Sequence, residues 1–350
     1  MSSTLGGSDF ISIEALTSQV TDILVAHRMT PQNAQIIALT IVAAEVDGSR
    51  SHGIQRLGGY IGSLNSGWVD GVVAPVVEDC SASLVKVDAR NGFAQVALAA
   101  ASELAKSKAR REGLAMVAIR DSHHFASLWP DVEPFSQHGF IALTMVNSRS
   151  RMVAWGGKRK VLGTNPIAFA CPRKGRPPLV FDQASSVMSQ GDVLLHASRG
   201  DKLPNGIGVD KDGEPTVDPR VLLDGGALLP YSGAKGSSIA FMVEILAAAL
   251  TGSRFGFEDT SGVFPGAQTS NAGQFLLLID PNHVAGEAFS DRVEQLISEL
   301  TAAGTDRMPG DRRYQCRAAA RSNGIQLDER SIAEIARLSN GQTCPEGKSK

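Results

Sequence analysis

Apolar residues at Ile13, Leu16, Val20, Ile23 and Leu24 return every three or four positions, the period of one buried helix face. Ser12 stands where an N-cap belongs. Thr30-Pro31 opens a second helix, with proline at the first position, where its missing N–H costs nothing. The apolar row of that helix runs through Ile37, Ile41 and Val42 and stops at Asp47-Gly48. A third, short helix carries Arg56 and Tyr60 and ends near Ser66-Gly67, so the chain begins as an all-helical segment. The period changes after Val72-Val73-Ala74-Pro75. Residues 83–87 alternate as a strand, Asn91-Gly92 turns, and 93–108 is an alanine-rich helix. Strands at 114–119 and 140–146 bracket a helix at 131–137, and further strands follow at 166–170, 179–182 and 275–279. Residues 236–250, apolar nearly all round, predict a buried helix closed by Gly252. Helices at 288–300 and 331–338 complete the pattern. Residues 198–220, dense in Gly, Asp and Pro, read as a long surface excursion, and the tail after Asn340 as frayed. Strands alternating with helices predict a layered α/β fold.

Composition narrows the class. A chain of 350 residues exceeds one small core, so two units are expected. With 43% hydrophobic and 20% charged residues it reads as a soluble globular protein, and a net charge of -2 gives no general pull toward nucleic acid or membrane. Cys80, Cys171, Cys316 and Cys344 are scattered without a CxxC pair, which argues against structural zinc and against a disulfide framework. The stretch Met1 to Asp9 is polar and lacks the layout of a secretory signal, so the expected location is the cytoplasm.

Candidate chemistry concentrates in Ser49-Arg50-Ser51-His52-Gly53-Ile54-Gln55-Arg56. An imidazole suits proton transfer near neutral pH. A guanidinium four residues on can face the same cavity if Gly53 opens a helix, and its fork matches a carboxylate. The competing reading is a polar helix–helix turn. Ser122-His123-His124-Phe125 follows a strand, where open α/β sheets bind ligands, but no acidic or sulfur partner stands at metal-ligand spacing. Hydrogen bonding or ring stacking is therefore expected of it. Asp210-Lys211-Asp212-Gly213-Glu214 lacks the glycine and glutamate positions of a calcium loop and reads as a turn. No GxGxxG follows a strand and no Walker sequence occurs, so any dinucleotide is bound without the Rossmann fingerprint. Lys235 at a helix start runs against the dipole, and Arg307, Arg312 and Arg313 crowd one turn; both suit a phosphate.

SHG-x-x-R at 51, SHHF at 122, GTNP at 163, D-x-A-S-S at 182, GD at 191, KG at 235 and R-x-PGDRR at 307 stand in the order seen in the non-Rossmann malate/L-lactate dehydrogenase family, which the chain resembles over residues 12–330. The segments 66–71, 128–135 (LWPDVEPF) and 265–269 are most similar to those of its Δ1-piperideine-2-carboxylate/Δ1-pyrroline-2-carboxylate reductases. The resemblance implies a mixed, largely antiparallel sheet flanked by helices, with a helical module from both chain ends (1–75 plus 285–350) around a cofactor domain (76–284). It also implies a homodimer that completes the sites. The implied activity is NADPH-dependent reduction of cyclic 2-imino acids, with NADH as the alternative cofactor and 2-keto acid reduction as the alternative reaction. A catalytically silent ligand-binding relative is a third reading, against which the intact Ser51, His52, Arg56 and Asp192 set argues. By motif match His52 is the proton donor, Ser51 and Asp192 its relay, and Arg56 and Thr164 substrate contacts. Cofactor contacts are implied at His124, Phe125, Ala126, Ser127, Leu128, Asp182, Gln183, Ala184, Gln190, Gly191, Ala234 and Lys235, and at the turn of Arg307, Pro309, Gly310, Asp311, Arg312 and Arg313; no metal is implied. Trp155, Gln190 and Ala234 depart from the histidines common at those places in the family.

Overall fold

The computed structural model describes residues 10–340, so the expected character of 1–9 and of the tail lies outside the described residues. Strand β1 (Phe10–Ile11) leads into α1 (Ile13–Ala26), capped by Ser12, whose Oγ accepts the Ala15 N–H, as expected. Helix α2 (Pro31–Val46) starts at Thr30, whose hydroxyl accepts the Asn33 N–H. Two 3-10 turns, Arg50–His52 and Ile54–Arg56, then join it to α3 (Leu57–Asn65).

Strands β2 (Val76–Ser81) and β3 (Leu84–Phe93) form a hairpin, α4 (Ala94–Glu112) crosses over, and β4 (Leu114–His124) lies parallel to β3. Parallel neighbours need such a crossover. Helix α5 (Trp129–Gln137), β5 (Ile141–Val146), the short β6 (Met152–Val153) and β7 (Lys160–Leu162), then β8 (Ile167–Arg173) and β9 (Arg176–Gln183) follow. The expected excursion is more ordered than its composition suggested. Between α6 (Gln190–Arg199) and α7 (Pro219–Leu223) it holds β10 (Gly208–Val209) and β11 (Pro215–Thr216), and β12 (Ala227–Leu228) follows. Asp210 there closes a turn, its Oδ1 accepting the N–H groups of Asp212 and Glu214. Helix α8 (Ala234–Val243) widens into a π-helical segment, Glu244–Ala249, ahead of β13 (Ser270–Ile279). Helices α9 (Ala288–Ala302) and α10 (Asp311–Asn323), β14 (Ile325–Gln326) and α11 (Glu329–Ser339) end the described chain.

The main sheet has the order β2-β3-β4-β13-β5-β8-β9, antiparallel at every junction except β3–β4. A mixed, largely antiparallel sheet flanked by helices is the expected architecture. Side chains alternate across it. Ala142 and Val146 of β5 join the core under α4 and α5, while Met145 packs on the opposite face against Val243 and Ala247. A second core combines α1, α2 and α3 with Ala320, Ile325, Ile335 and Leu338 from the other chain end. Helix α9 lies instead along β8, tied by the Arg173–Glu294 and Lys174–Asp291 ion pairs. The segment 236–250 is not buried all round, because Phe241, Ile245 and Leu250 are 61%, 44% and 50% exposed. No helix among the described residues is long and apolar enough to cross a membrane.

Candidate active site

Helix α2 ends at Asp47, and its last turn aims Glu45 back under the following loop. The Glu45 carboxylate accepts the Ile54 N–H at 2.7 Å, and a Cβ on Gly53 would collide with it. Burial raises the carboxyl's pKa. Asp47 is clamped by Arg317, which also grips Glu133, so one guanidinium ties α2, α5 and α10 together. The loop held this way carries Ser51, His52 and Arg56 into one cavity of about 370 Å³. The helix-opening geometry expected at Gly53 is realised as a 3-10 turn running into α3.

Ser51 Oγ lies 3.1 Å from His52 Nδ1. Burial first, and the Arg56 charge second, lower the His52 pKa to about 4, while Asp192 pulls the other way. Asp192 is exposed, and its carboxylate accepts the Ser189 hydroxyl at 2.8 Å; no hydrogen bond joins it to His52 among the described residues. Arg56 donates from Nε to the Ser51 carbonyl at 2.8 Å, and its guanidinium lies over the Phe125 ring, 4.6 Å from the centroid. One edge of the fork is thus left for a ligand.

The opposite wall grows from the end of β4. His123 turns inward, bonded to Thr269 at 2.9 Å and Asn91 at 2.8 Å and edge-on to Trp68, and its pKa is lowered to about 3 by burial. This is the hydrogen-bonding role expected of the pair. His124 lines the cavity, with Nε2 against the buried Asp131 carboxylate at 3.0 Å. Phe125, Ala126, Ser127 and Leu128 continue the wall. Asp182 accepts the backbone N–H groups of Leu128 and Trp129 at 2.7 and 3.2 Å, capping α5 and fixing that loop, and burial raises its pKa. Gln183, Ala184, Gln190, Gly191 and Thr164 also line the cavity. The Thr164 loop is held by Asn165, which donates to the Ala240 carbonyl and to the buried carboxylate of Glu244.

Arg313 borders this cavity and a second one of about 400 Å³, which holds Arg307, Pro309, Gly310 and Arg312; Ser49 lines both. The two hollows therefore form a trough. Asp311 works inside the turn, accepting the Met308 N–H at 2.8 Å. Ala234 and Lys235 are exposed at the start of α8 and do not line either hollow. Sequence reasoning passed over Arg151, which lines the cavity and whose guanidinium makes no hydrogen bond or ion pair among the described residues. Burial first, then Arg149 and Arg56, lower its pKa to about 9. An arginine in the polar run Ser148-Arg149-Ser150-Arg151 carries no sequence signal of burial. A cavity with three guanidiniums and two imidazoles suits a small carboxylate that exchanges a proton.

A family model for malate/L-lactate dehydrogenase matches residues 11–336. The chain belongs to the malate/L-lactate dehydrogenase family. Among relatives in this family, a Δ1-pyrroline-2-carboxylate/Δ1-piperideine-2-carboxylate reductase of Pseudomonas syringae pv. tomato is 51% identical over 94% of this chain and 96% of its own. The (2R)-3-sulfolactate dehydrogenase (NADP(+)) of Chromohalobacter salexigens is 39% identical over 86% and 90%. The solved Δ1-piperideine-2-carboxylate reductase from P. syringae superposes with a TM-score of 0.93 at 50% identity, covering 95% of this chain and 100% of that one. Malate dehydrogenase from Entamoeba histolytica gives 0.86 at 25% identity, over 96% and 98%. The fold is therefore that of the non-Rossmann dehydrogenases.

Proposed function

We propose that this chain reduces cyclic 2-imino acids, Δ1-piperideine-2-carboxylate to L-pipecolate and Δ1-pyrroline-2-carboxylate to L-proline, with NADPH preferred over NADH. The observation that carries the reading is one cavity holding Arg56, His52 and His124, in a chain half identical to a reductase of those imines. The trough fits a dinucleotide. Arg307 and Arg312 are exposed cations on its outer part, and the buried Ser148 Oγ on the inner wall has no partner. Residues 124–128, 182–184 and 190–191 with the arginine turn would hold the cofactor. When bound, a reduced nicotinamide supplies the hydride that C2 of the substrate gains.

Arg56 fixes the substrate carboxylate through its free edge, which orients C2; orientation is a large part of what a protein contributes to such chemistry. His52 is neutral in the free protein at neutral pH. A carboxylate settling on Arg56 offsets the guanidinium charge, which removes the second of the two influences that hold the imidazole neutral and favours its protonated form. Ser51 holds Nδ1, which leaves Nε2 to hand that proton to the substrate nitrogen. Asp192, once released from Ser189, would complete the relay. Ala234 and Lys235 would reach a cofactor only through a second copy of the chain, and the exposed row Phe241, Ile245 and Leu250 on the same helical segment supports the implied homodimer. No strong steering charge opposes a cytoplasmic setting, which we retain as part of the proposal.

Substrate-dependent loss of NADPH absorbance with each cyclic imine and with pyruvate tests the reading. Faster turnover of the imines is expected; turnover of pyruvate alone would assign the chain to keto acids. Repeating the assay with NADH, and in Gln190→His and Ala234→His, tests the cofactor. A preference for NADPH of about tenfold, strengthened by at least one histidine, is expected because one charge-assisted hydrogen bond is worth about that much.

A further inference from the structure

His124 and Asp131 are more than a wall of the cofactor trough. Both side chains are buried, at 4% and 3% exposure, and Nε2 of the ring faces Oδ2 of the carboxylate at 3.0 Å. The same oxygen accepts the Gln274 amide at 2.8 Å, and that amide also reaches Thr144 at 3.1 Å. A carboxylate flanked by an amide N–H acts as acceptor, so the hydrogen of His124 sits on Nε2. Nδ1 then carries the lone pair. It forms no hydrogen bond among the described residues and is absent from their sealed, partnerless polar atoms, while its ring lines the cavity beside His52.

Resting on the reading of the chain as an imine reductase, we propose that His124 is the acceptor for the substrate's iminium N–H, and that Asp131 is the positioning residue that fixes it in the accepting tautomer. A cyclic 2-imino acid in its iminium form has one hydrogen on nitrogen, in the plane of the ring. As C2 gains its hydride, the C=N π pair becomes a lone pair on nitrogen. That lone pair takes a proton from His52, while the first N–H bond persists throughout, held by His124. The product is the ammonium form of the cyclic amino acid, and every proton is placed. A 2-keto acid needs the His52 proton too, but its carbonyl oxygen has no hydrogen to offer Nδ1. The acceptor therefore separates C=N from C=O substrates where Arg56 cannot, since both classes present the same carboxylate. Asp131 lies in the Leu128-Trp129-Pro130-Asp131-Val132-Glu133-Pro134-Phe135 segment that the sequence comparison singled out, and the dyad gives that segment a chemical task.

The test uses two planar ring ligands with the NADPH-loaded protein: 1H-pyrrole-2-carboxylate, which has a ring N–H, and furan-2-carboxylate, which has a ring oxygen in its place. The wild-type protein is expected to bind the pyrrole about tenfold or more tightly. In Asp131→Ala and in His124→Phe, each first shown to hold NADPH, that ratio is expected to fall to near one, with the pyrrole losing more affinity than furan-2-carboxylate. The two variants remove the acceptor by different routes, so a failure of either to fold leaves the other to decide. A structural role alone would weaken both ligands in parallel. Equal affinities in the wild type, failure of the pyrrole to bind, a parallel loss, or a preference that survives substitution overturns the proposal. If the wild type shows the preference yet reduces no cyclic imine, the functional reading fails instead.

Discussion

The two histidines of the cavity are held in opposite ways. His124 ends a strand at the middle of the main sheet, and a buried carboxylate, an amide and a threonine stand behind it in series. His52 ends the first of two 3-10 turns with a single hydroxyl against it, and the acidic group that acts on it, Asp192, is hydrogen-bonded to Ser189. The first ring has its hydrogen assigned before anything binds. The second is held neutral by burial first and by the Arg56 guanidinium second, and an anion on Arg56 weakens only the latter. One wall recognises and the other reacts.

The sharpest way to break this comparison is His52→Ala. Turnover is expected to fall about a hundredfold to ten-thousandfold, the usual worth of a placed general acid, with NADPH affinity unchanged by fluorescence titration. Undiminished turnover would remove His52 from the reaction.

A pH series sharpens it. The fold holds His52 at about 4, against about 6.5 for an unperturbed histidine, so the unfolded chain binds more protons between those values. Stability from this group is complete above about pH 6.5 and is lost as pH falls toward 4. Relative to His52→Asn, the wild type is expected to lose at most about 3 kcal/mol across that window. Parallel calorimetric unfolding curves for the two proteins would refute the assignment.

Arg56→Lys should raise the KM for the imine about tenfold, because a point charge does not replace a fork that is also stacked on Phe125. Arg151→Met, by steady-state kinetics, should raise it less, since Arg151 adds charge without that stacking platform. The smallest effect is expected at Glu45. The Gln variant keeps an acceptor for the Ile54 N–H and should hold kcat within about threefold, whereas Ala strands that donor and should cost about 1–3 kcal/mol in thermal unfolding.

The reacting wall was the legible one. Its residues are close in sequence and chemically unusual between two helices, so Ser51, His52 and Arg56 stand out before any fold is known. The recognising wall was not. Gln274 stands in the polar first half of β13, just ahead of its apolar run, and its meeting with Asp131 spans 143 positions that only the sheet order brings together. Asp192 was expected as a relay partner of His52; it acts on the ring through its charge, while its carboxylate accepts the hydroxyl of Ser189, the capping residue of α6, which the spacing did not announce. The same logic separates the elements. Helix α2 and strand β5 carry buried rows and were readable, while α10 buries only Ala320 and β2 is an exposed edge, so neither has an apolar period to read. The edge of 236–250 that stays exposed was unreadable for the converse reason, since hydrophobicity alone does not say which faces are covered.

The short strand pair β1–β14 has a consequence for how the molecule is made. Phe10 lies opposite Gln326, and Arg50, in the reacting loop itself, donates to the Gln326 carbonyl from 276 positions away. At about 5–20 residues per second on the ribosome, the opening helices wait roughly 15–55 seconds for the segment that clasps them. The sheet can form during that interval, whereas the wall bearing His52 reaches its final shape only once Gln326 has been made and has reached Arg50. A product cut short before Gln326 therefore carries the strands of the main sheet and no finished reaction centre.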